Sequence, residues 1–464
     1  MTRLRLTKTP LAAAATALLA STLTATPAQA GALLDVYEKG LAQDKTLEAA
    51  RYARDAAVEA RPQALSLLLP QLSGTGSYSY DQTTQSYSTA RFGSPQPVTV
   101  SQKSKTDGTS YGLNLTQTVF DWSAITKLRQ SDDAVALAET TYRAAQQDLI
   151  FRTAQAYFNV LTAADTLRAA VAQNQAIGQQ LEQFRQRFEV GLSAITDVQD
   201  AQARYDLTVA TQLQAETALA SAKRVLAQLT GSNDNVVTTV RDDLPLVGPD
   251  PQSPVAWAEA ARKDNPLVLE AQLAAAIAER DVTIARAKGL PTVGLQGGYS
   301  RSDNNYTSNG ATSPQSSYGP SVQAVLTVPI YTGGAIASGT RAANATYLQR
   351  QTQFVDAQRT AERSAGDAYQ AVLTGISSVN AYRAAVISNR TAVEASQVGQ
   401  QVGTRTAVDV LNAEQLLYAA ESSYAQARYT YLLSVLQLKE TAGRLTEQDL
   451  AEVDRLLVAD APVN

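Results

Sequence analysis

Carboxylate, ammonium and guanidinium side chains are the main candidates for chemistry in this 464-residue chain, because it contains no histidine and no cysteine. It therefore cannot build a Cys nucleophile, a Ser-His-Asp triad, or a zinc, iron or copper site with His or Cys ligands. A two-carboxylate hydrolase and an all-carboxylate metal site remain open. The acidic residues are scattered at spacings typical of solvated helix faces, so we predict a protein that is not an enzyme, without catalytic residues, cofactor or metal.

The charge balance argues against a nucleic-acid partner. Lysine and arginine total 39 and aspartate and glutamate 43, which gives a formal charge of −4. Nucleic-acid binding requires a basic surface that this composition does not supply. Only 18% of the residues are charged, so most polar residues of the chain are uncharged.

Two acidic positions recur beside a glycine in each half of the chain. Val190-Gly191 matches Val402-Gly403, and Asp197-Val198 matches Asp409-Val410 in the same register. Matches distributed along a chain in constant register indicate an internal duplication. Further matched pairs are Leu69-Pro70 with Leu290-Pro291, Ala156-Tyr157 with Ala368-Tyr369, and Gly231 with Gly443.

The duplication sets the domain boundaries. We predict a signal peptide at 1–30, a first structural repeat at 31–231, a linker at 232–253, a second structural repeat at 254–443 and a C-terminal tail at 444–464.

Long helices must position the residues around the two glycines. No proline occurs between Pro97 and Pro245 or between Pro329 and Pro462, so helices can run without interruption there. Apolar residues at helical spacing predict long helices at 123–190 and 336–401. These are followed by helices at 194–230 and 407–442, with shorter helices upstream at about 32–68 and 255–288. A helix of this length spans about 100 Å.

The last of these helices carries an apolar residue at every seventh position. A heptad stripe is typical of coiled-coil packing. Helices of this length suit a rod or a tube better than a compact globule. The stripe consists of Val410, Leu417, Tyr424, Tyr431 and Leu438.

Between the helices, each half contains a segment of alternating Ser, Thr, Tyr and apolar residues. These segments predict one β-hairpin per half, at about 70–120 and 291–331. We place Asn304, Asn305, Asn309 and Gly310 in the loop of the second hairpin. The alternation is typical of transmembrane barrel strands, and a soluble hairpin is the alternative.

Four strands per chain are too few to close a barrel, which needs at least about eight. Open sheet edges are not tolerated in lipid, so hairpins that span a membrane require an oligomer. Two chains give eight strands with a filled lumen, whereas three give twelve with an open lumen. Because the long helices leave the strands directly, the strand count favours a membrane pore continued by a long aqueous conduit.

The N-terminus has the features of a secretory signal peptide. Arg3, Arg5 and Lys8 precede the apolar segment 11–20, and 28–30 (AQA) is a small-residue cleavage site. The mature chain is therefore predicted to begin at Gly31, and the alternative is an uncleaved anchor.

Several motifs in the second half resemble the TolC family of outer-membrane efflux channels, and the match extends over essentially the whole mature chain. These motifs are 376–386 (ISSVNAYRAAV), 402–413 (VGTRTAVDVLNA), 427–432 (ARYTYL) and 445–450 (LTEQDL), with 190–199 (VGLSAITDVQ) as the counterpart in the first half.

The resemblance implies a mixed α and β fold assembled as a homotrimer. Four strands per chain would form a 12-stranded β-barrel in outer-membrane lipid, continued by a periplasmic α-helical coiled-coil barrel. It implies the exit duct of a tripartite efflux pump or a type I secretion system. The expected partners are a periplasmic adaptor (membrane fusion) protein and an inner-membrane transporter of ABC, RND or MFS type.

The resemblance also assigns roles to the two glycine breaks. The tips, with Gly191, Leu192, Gly403 and Thr404, are expected to face the adaptor and close the periplasmic entrance. Arg405 matches a residue that links neighbouring coiled coils in the family.

The expected gate network comprises Arg405, Thr196, Asp197 and Gln400, where Gln400 stands in place of a family tyrosine. An arginine–aspartate bond is charge-assisted, so a few such links could bias a gate. The alternative is that Arg405 is an ordinary exposed side chain.

Asp409 matches a constriction residue, and Asn412 stands where a second acidic ring is expected. Three copies of Asp409 in a narrow entrance would attract cations and raise the carboxylate pKa. The amide at Asn412 predicts weaker cation selectivity than two acidic rings would give. The alternative is that Asp409 is a solvated helix carboxylate.

A trimeric cell-surface or adhesin-like coiled-coil protein without a conducting lumen is the alternative function. It would explain the long helices and the trimer. It would not explain why a hairpin occurs twice between helices, because adhesins usually carry one anchor at one end.

Overall fold

The computed structural model describes residues 31–90, 92–93, 97–241, 243–308 and 310–462, so the predicted signal peptide lies outside it. The first half contains α1 (Ala32–Gln43), α2 (Lys45–Val58), α3 (Ala60–Ser66), β1 (Gln71–Ala90), β2 (Pro97–Phe120), α4 (Trp122–Glu189), α5 (Ile195–Thr230) and β3 (Thr238–Val240). The second half contains α6 (Pro254–Asp264), α7 (Pro266–Ala287), β4 (Thr292–Ser308), β5 (Ala311–Thr327), α8 (Ala335–Gln401), α9 (Ala407–Thr441), α10 (Glu447–Asp454) and β6 (Leu457–Pro462).

The two upstream helical segments are interrupted, each at a polar residue that caps the following helix. The Asp44 side chain accepts a hydrogen bond from the Leu47 amide at 2.7 Å, which ends α1 and starts α2. The Asn265 side chain caps α7 in the same way by accepting from the Leu267 amide at 2.8 Å. The first residue of α7 is Pro266, and proline is favoured at that position. The repeats thus share one order of elements: short helices, a hairpin, a long helix and a helix of half that length.

The two hairpins join into one antiparallel sheet with the strand order β1-β2-β4-β5. Asn304 and Asn305 lie within β4, not in the predicted loop, and pair with Gly108 and Asp107 of β2. Pairing on both sides of β4 outweighs the low strand propensity of asparagine. The predicted loop residue Asn309 lies outside the described residues.

The register places apolar side chains of all four strands on one face of this sheet. Leu72, Leu115 and Val322 lie in one cross-strand row, and Leu113 and Tyr299 lie in the next row on the same face. The opposite face carries uncharged polar residues, because successive side chains of a strand point to opposite faces. Its rows include Gln71, Thr116, Gln296 and Gln323, and Ser73, Asn114 and Ser321.

The long helices begin directly after the strands. The Asp121 side chain caps α4 by accepting from the Ser123 amide at 2.8 Å. Gly334, with φ +82°, allows the turn into α8. With 68 and 67 residues, α4 and α8 are each about 100 Å long. Among the described residues, no helix combines the length and the apolar character needed to cross a membrane.

Each long helix packs along the shorter helix that follows it, α4 with α5 and α8 with α9. Of the predicted heptad stripe of α9, Val410, Tyr431 and Leu438 are buried. The largest core lies midway along the helices, where Phe158 of α4 stacks on Tyr429 of α9.

This core also holds a small two-stranded sheet that the sequence did not predict. Strand β3 lies in the linker and β6 in the C-terminal tail, and they pair antiparallel. The Tyr157 hydroxyl fixes β3 by accepting from the Thr238 amide at 2.8 Å. The linker is therefore part of the core, since its backbone is held by a buried side chain.

Candidate functional site

The two tips are helix–turn–helix turns with the same backbone geometry. In the first, the Gly191 amide bonds to the Phe188 carbonyl and the Leu192 amide to the Arg187 carbonyl, at 3.0 and 2.8 Å. This pair of bonds defines a Schellman motif, which requires a left-handed residue after the helix. Gly191 supplies it with φ +74°.

The second tip repeats the motif with Gly403 at φ +80°. The amides of Gly403 and Thr404 bond to the carbonyls of Gln400 and Gly399, at 3.2 and 2.8 Å. The Thr404 hydroxyl adds a bond to the Gly399 carbonyl at 3.1 Å. Leu192 of the first tip is 79% exposed, so both turns project away from the helices with little packing to restrain them.

The helices after the tips start with different caps. In α9, Thr406 and Asp409 form a capping box: the Asp409 carboxylate accepts from the Thr406 amide and hydroxyl, both at 2.8 Å. The Thr406 hydroxyl accepts from the Asp409 amide at 3.2 Å. In α5 the equivalent first position is Ala194, which has no side-chain acceptor. The Asp197 carboxylate there accepts from the Ser193 hydroxyl at 2.8 Å and the Ala194 amide at 3.2 Å.

The capping box lowers the pKa of Asp409 within one chain. Hydrogen bonds from the backbone and side chain of Thr406, with a contribution from the Arg405 charge, hold the Asp409 pKa below its usual value. Donors that bind the ionised form favour it. Within one chain this carboxylate is therefore held as an anion. The raised pKa expected for three copies in a narrow entrance stays a prediction.

The structure does not bring the four members of the expected gate network together within one chain. Asp197 is occupied by the cap of α5, and Thr196 is exposed. Arg405 forms no ion pair with any residue in the described part of the chain; its aliphatic stem lies against Gly399, where an added Cβ would come within 2.7 Å of the Arg405 Cγ. Gln400 contributes its backbone carbonyl to the turn.

Asn412 has a partner that the sequence did not suggest. The Arg204 guanidinium of α5 donates a hydrogen bond to the Asn412 Oδ1 at 2.9 Å. This bond joins the first helix pair, α4 and α5, to the second pair, α8 and α9.

A buried glutamate makes a second link between the helix pairs. Glu414 of α9 is 6% exposed and accepts from the side-chain amides of Gln180 of α4, at 2.8 Å, and Gln397 of α8, at 3.4 Å. Burial raises the pKa of the Glu414 carboxyl. Sequence reasoning missed it, although a signal existed: Glu414 follows the buried Val410 by four residues and so shares its helix face.

The first tip is anchored differently, by apolar packing. Leu181 and Phe184 of α4 contact Val198 and Ala201 of α5 in a small buried cluster. The described residues contain no group of three or more acidic side chains that could hold a metal ion. The tip region thus combines an apolar clamp within the first helix pair with polar links between the pairs.

Comparison with known proteins identifies the family. The model of the outer membrane efflux protein family matches residues 36–232 and 257–444. The outer membrane protein TolC of Vibrio cholerae is 35% identical over 422 residues, which cover 91% of this chain and 93% of that protein. The alkaline protease secretion protein AprF of Pseudomonas aeruginosa is 30% identical and covers 90% of this chain and 85% of its own length.

Solved structures share the fold at lower sequence identity. The Campylobacter jejuni CmeC outer membrane channel superposes with a TM-score of 0.70 at 18% identity, covering 92% of this chain and 90% of that one. VceC from Vibrio cholerae gives 0.66 at 20% identity, covering 89% and 96%. The predicted resemblance is confirmed, and the chain belongs to the outer membrane efflux protein family.

Proposed function

We propose that this protein is the outer-membrane exit duct of a tripartite efflux pump or type I secretion system, with a large periplasmic part. It conducts cargo passively from an inner-membrane transporter and a periplasmic adaptor to the outside. The observation that carries the proposal is a two-faced, four-stranded sheet continued by helices about 100 Å long in a family of outer membrane efflux proteins.

The apolar face of the sheet is suited to lipid. Its apolar residues extend along β5 from Leu326 to Tyr318, about 26 Å along the strand. This is close to the apolar band of transmembrane barrels. Arg301 lies beside Tyr318 in the last row and bonds to Asp303 at 2.9 Å, which places a charged pair at the end of the band.

The edges of the sheet support a trimer. β1 and β5 each have one unpaired edge, and every residue of β1 is exposed. Pairing of β5 with β1 of a neighbouring chain would satisfy both edges and close the sheet. Three chains give twelve strands, and the uncharged polar face of the sheet then lines an open lumen.

The helix pairs of three chains would continue this lumen as a periplasmic coiled-coil barrel. Its entrance lies at the tips, where Leu192 and Val402 are exposed apolar residues suited to an adaptor. Arg405 would then bond to Thr196 and Asp197 of a neighbouring pair. Asp409 and Asn412 would line the constriction.

The cargo class follows the transporter, of ABC, RND or MFS type. Among the relatives, AprF is described as an alkaline protease secretion protein and PrtF of Dickeya chrysanthemi as a proteases secretion protein. BepC of Brucella suis is described as an outer membrane efflux protein. Both kinds of duct therefore occur among proteins similar to this chain.

Cysteine cross-linking between β1 and β5 tests the closure, because the native chain has no cysteine. One cysteine replaces Ser79 in β1 and a second is scanned through Ser316, Ser317 and Ser321 in β5. At least one pair should give a cross-linked trimer on denaturing gels and no larger species. A matched pair at Ser77 and Ser110, whose hydroxyls lie 2.8 Å apart, should cross-link within one chain.

Two further measurements separate a duct from a solid assembly. Electron-microscope images averaged without imposed symmetry should show a hollow three-fold cylinder. Planar-bilayer recordings should show discrete conductance steps. A solid rod, or cross-linked dimers or tetramers in place of trimers, would overturn the proposal.

A further inference from the structure

Gly31, the residue after the expected cleavage site, lies beside a buried carboxylate. Asp454, the last residue of α10, is 8% exposed and accepts a hydrogen bond from the Leu33 amide in the first turn of α1 at 2.9 Å. The backbone amides of Gly31 and Leu34 also favour the ionised form of this carboxylate. Asp454 therefore caps α1 from a residue more than 400 positions away.

Gly31 lies in contact with this carboxylate. A Cβ at position 31 would come within 1.5 Å of Asp454 Oδ2 and 2.1 Å of its Cγ, so no other residue fits without displacing Asp454. In the described chain, no side chain of its own segment caps α1. The start of α1 is thus shaped around Asp454.

Asp454 differs from the neighbouring buried aspartates in its partners. Asp44 pairs with Arg152 at 3.0 Å, and Asp165 pairs with Arg168 at 2.6 Å. Asp454 forms no ion pair with any lysine or arginine of the described residues, and burial raises the pKa of its carboxyl. A buried carboxylate held only by neutral donors is costly, and a cation at this site would relieve that cost.

Cleavage of the signal peptide would create a positive charge at this position. The small-residue motif at 28–30 places the expected signal-peptide cleavage immediately before Gly31. Hydrolysis of the Ala30–Gly31 peptide bond consumes one water. Ala30 keeps the new carboxylate, and the nitrogen of Gly31 becomes a protonated α-amine.

We propose that the α-ammonium released at Gly31 by signal-peptide cleavage docks on Asp454 as a buried ion pair. In the precursor, the same nitrogen is a neutral amide and offers a single hydrogen bond. Cleavage therefore adds to the contact between α1 and α10 an ion pair that the precursor lacks. Because Leu33, Leu450 and Val453 of these two helices belong to the main core, processing and core packing become coupled.

The contact with Asp454 requires glycine at position 31, because it excludes a side chain there. The small residues that signal peptidases need lie just before it, at Ala28 and Ala30. The inference rests on the expected cleavage site and is independent of the proposed transport function.

The test measures the reactivity of the N-terminal amine in the purified, folded protein. The intact mass first establishes whether the chain begins at Gly31. An amine-acylating reagent is then applied near neutral pH, and modification at Gly31 is compared by mass spectrometry with that at Lys45, whose side chain is 79% exposed. An ion pair that raises the amine pKa by one unit lowers its neutral fraction about tenfold.

We expect the Gly31 amine to react at least about tenfold more slowly in the wild type than in Asp454→Asn, with Lys45 unchanged. Asp454→Asn keeps the shape and the acceptor oxygen, so α1 remains capped. If it fails to fold, a variant with one alanine inserted between Ala30 and Gly31 keeps Asp454 but moves the amine by one residue. Its amine should react at least about tenfold faster than that of the wild type.

Two results would overturn the proposal. One is a mature chain that begins at any residue other than Gly31. The other is a Gly31 amine whose reactivity is the same in the wild type as in the folded variants.

Discussion

The capping box of α9 allows the gating proposal to be tested by removing one hydroxyl. Thr406→Ala deletes the acceptor of the Asp409 amide, at 3.2 Å, and one of the two donors to the Asp409 carboxylate, at 2.8 Å. The charge of Asp409 and the second donor, the Thr406 amide, remain. The variant therefore weakens the start of α9 without altering the charge at the proposed constriction.

The expected cost is that of losing an N-cap side chain, about 1 kcal/mol per chain. This corresponds to an approximately fivefold larger population of chains in which the first turn of α9 is frayed. If three chains contribute independently, the closed state of a trimer loses about 3 kcal/mol relative to an open state in which these turns are frayed.

Because the chain is duplicated, the opposite substitution can be made at the start of α5. Ala194 occupies the same position at the start of α5 and has no side-chain acceptor. Ala194→Thr should therefore stabilise the first turn of α5 by about 1 kcal/mol. Hydrogen exchange should become about fivefold faster in peptides covering the second tip in Thr406→Ala. It should become about fivefold slower in peptides covering the first tip in Ala194→Thr.

A third variant controls for a general loss of stability. At the start of α10 the Asp449 carboxylate likewise accepts from the Thr446 amide and hydroxyl, at 2.7 and 2.8 Å, but the Thr446 side chain accepts no bond from the helix. Thr446→Ala removes the same hydroxyl-to-carboxylate bond and should cost up to about 1 kcal/mol locally. In bilayer recordings only Thr406→Ala should increase the open probability. Equal effects of the two alanine variants, or no effect of either, would refute the link between the α9 cap and gating.

Three further predictions concern buried and paired groups. Burial and the charge of Asp148 raise the pKa of Glu440 to about 7 from an ordinary value of 4.5. Glu440 therefore destabilises the fold increasingly as the pH rises from about 4.5 to 7, by up to about 3 kcal/mol. Glu440→Gln should remove that part of the pH dependence of the urea midpoint, and the same pH dependence in wild type and variant would contradict the assignment. Asn412→Asp should increase the cation selectivity, measured as a shift of the reversal potential, only slightly, because the new carboxylate would lie beside the Arg204 guanidinium. Adding Arg204→Gln should give a larger shift, and equal shifts in the single and double variants would rule out the pairing. Glu414→Ala should lower the free energy of unfolding by about 1 kcal/mol, because it leaves the half-buried Gln180 amide without its acceptor, whereas the exposed Gln397 can bond to water. An unchanged urea midpoint would contradict this role.

The elements that are long and periodic could be predicted from sequence. The helices predicted at 123–190 and 336–401 run from Trp122 to Glu189 and from Ala335 to Gln401. Proline-free stretches and a helical period over many turns leave few other structures open. The glycines at the tips were also found, because a left-handed turn between two helices favours that residue.

The details of the candidate site could not be predicted, because they depend on contacts between distant segments. Arg204 and Asn412 lie in different halves, and nothing in their local sequence indicates the bond between them. Within one chain the Asp409 pKa is lowered by a cap three residues upstream, a contribution separate from the ring of like charges that the resemblance implies. That cap is a local motif, Thr-x-x-Asp, and could have been recognised from the sequence.

The two helix pairs contain nearly the same elements but are held near the tips by different forces. Leu181 and Phe184 fasten α4 to α5 through buried apolar contacts, which are lost only if the helices separate. In contrast, the links near the tips between α9 and the first pair are the hydrogen bonds of the buried Glu414 and of Asn412, and the bond of Asn412 is exposed and can be exchanged for bonds to water. A net hydrogen bond contributes only about 1 kcal/mol. A local rearrangement of the second tip, beyond the core where Phe158 stacks on Tyr429, would therefore cost less than opening the first pair, which would expose its apolar cluster. This difference favours the second tip as the moving part of the proposed gate.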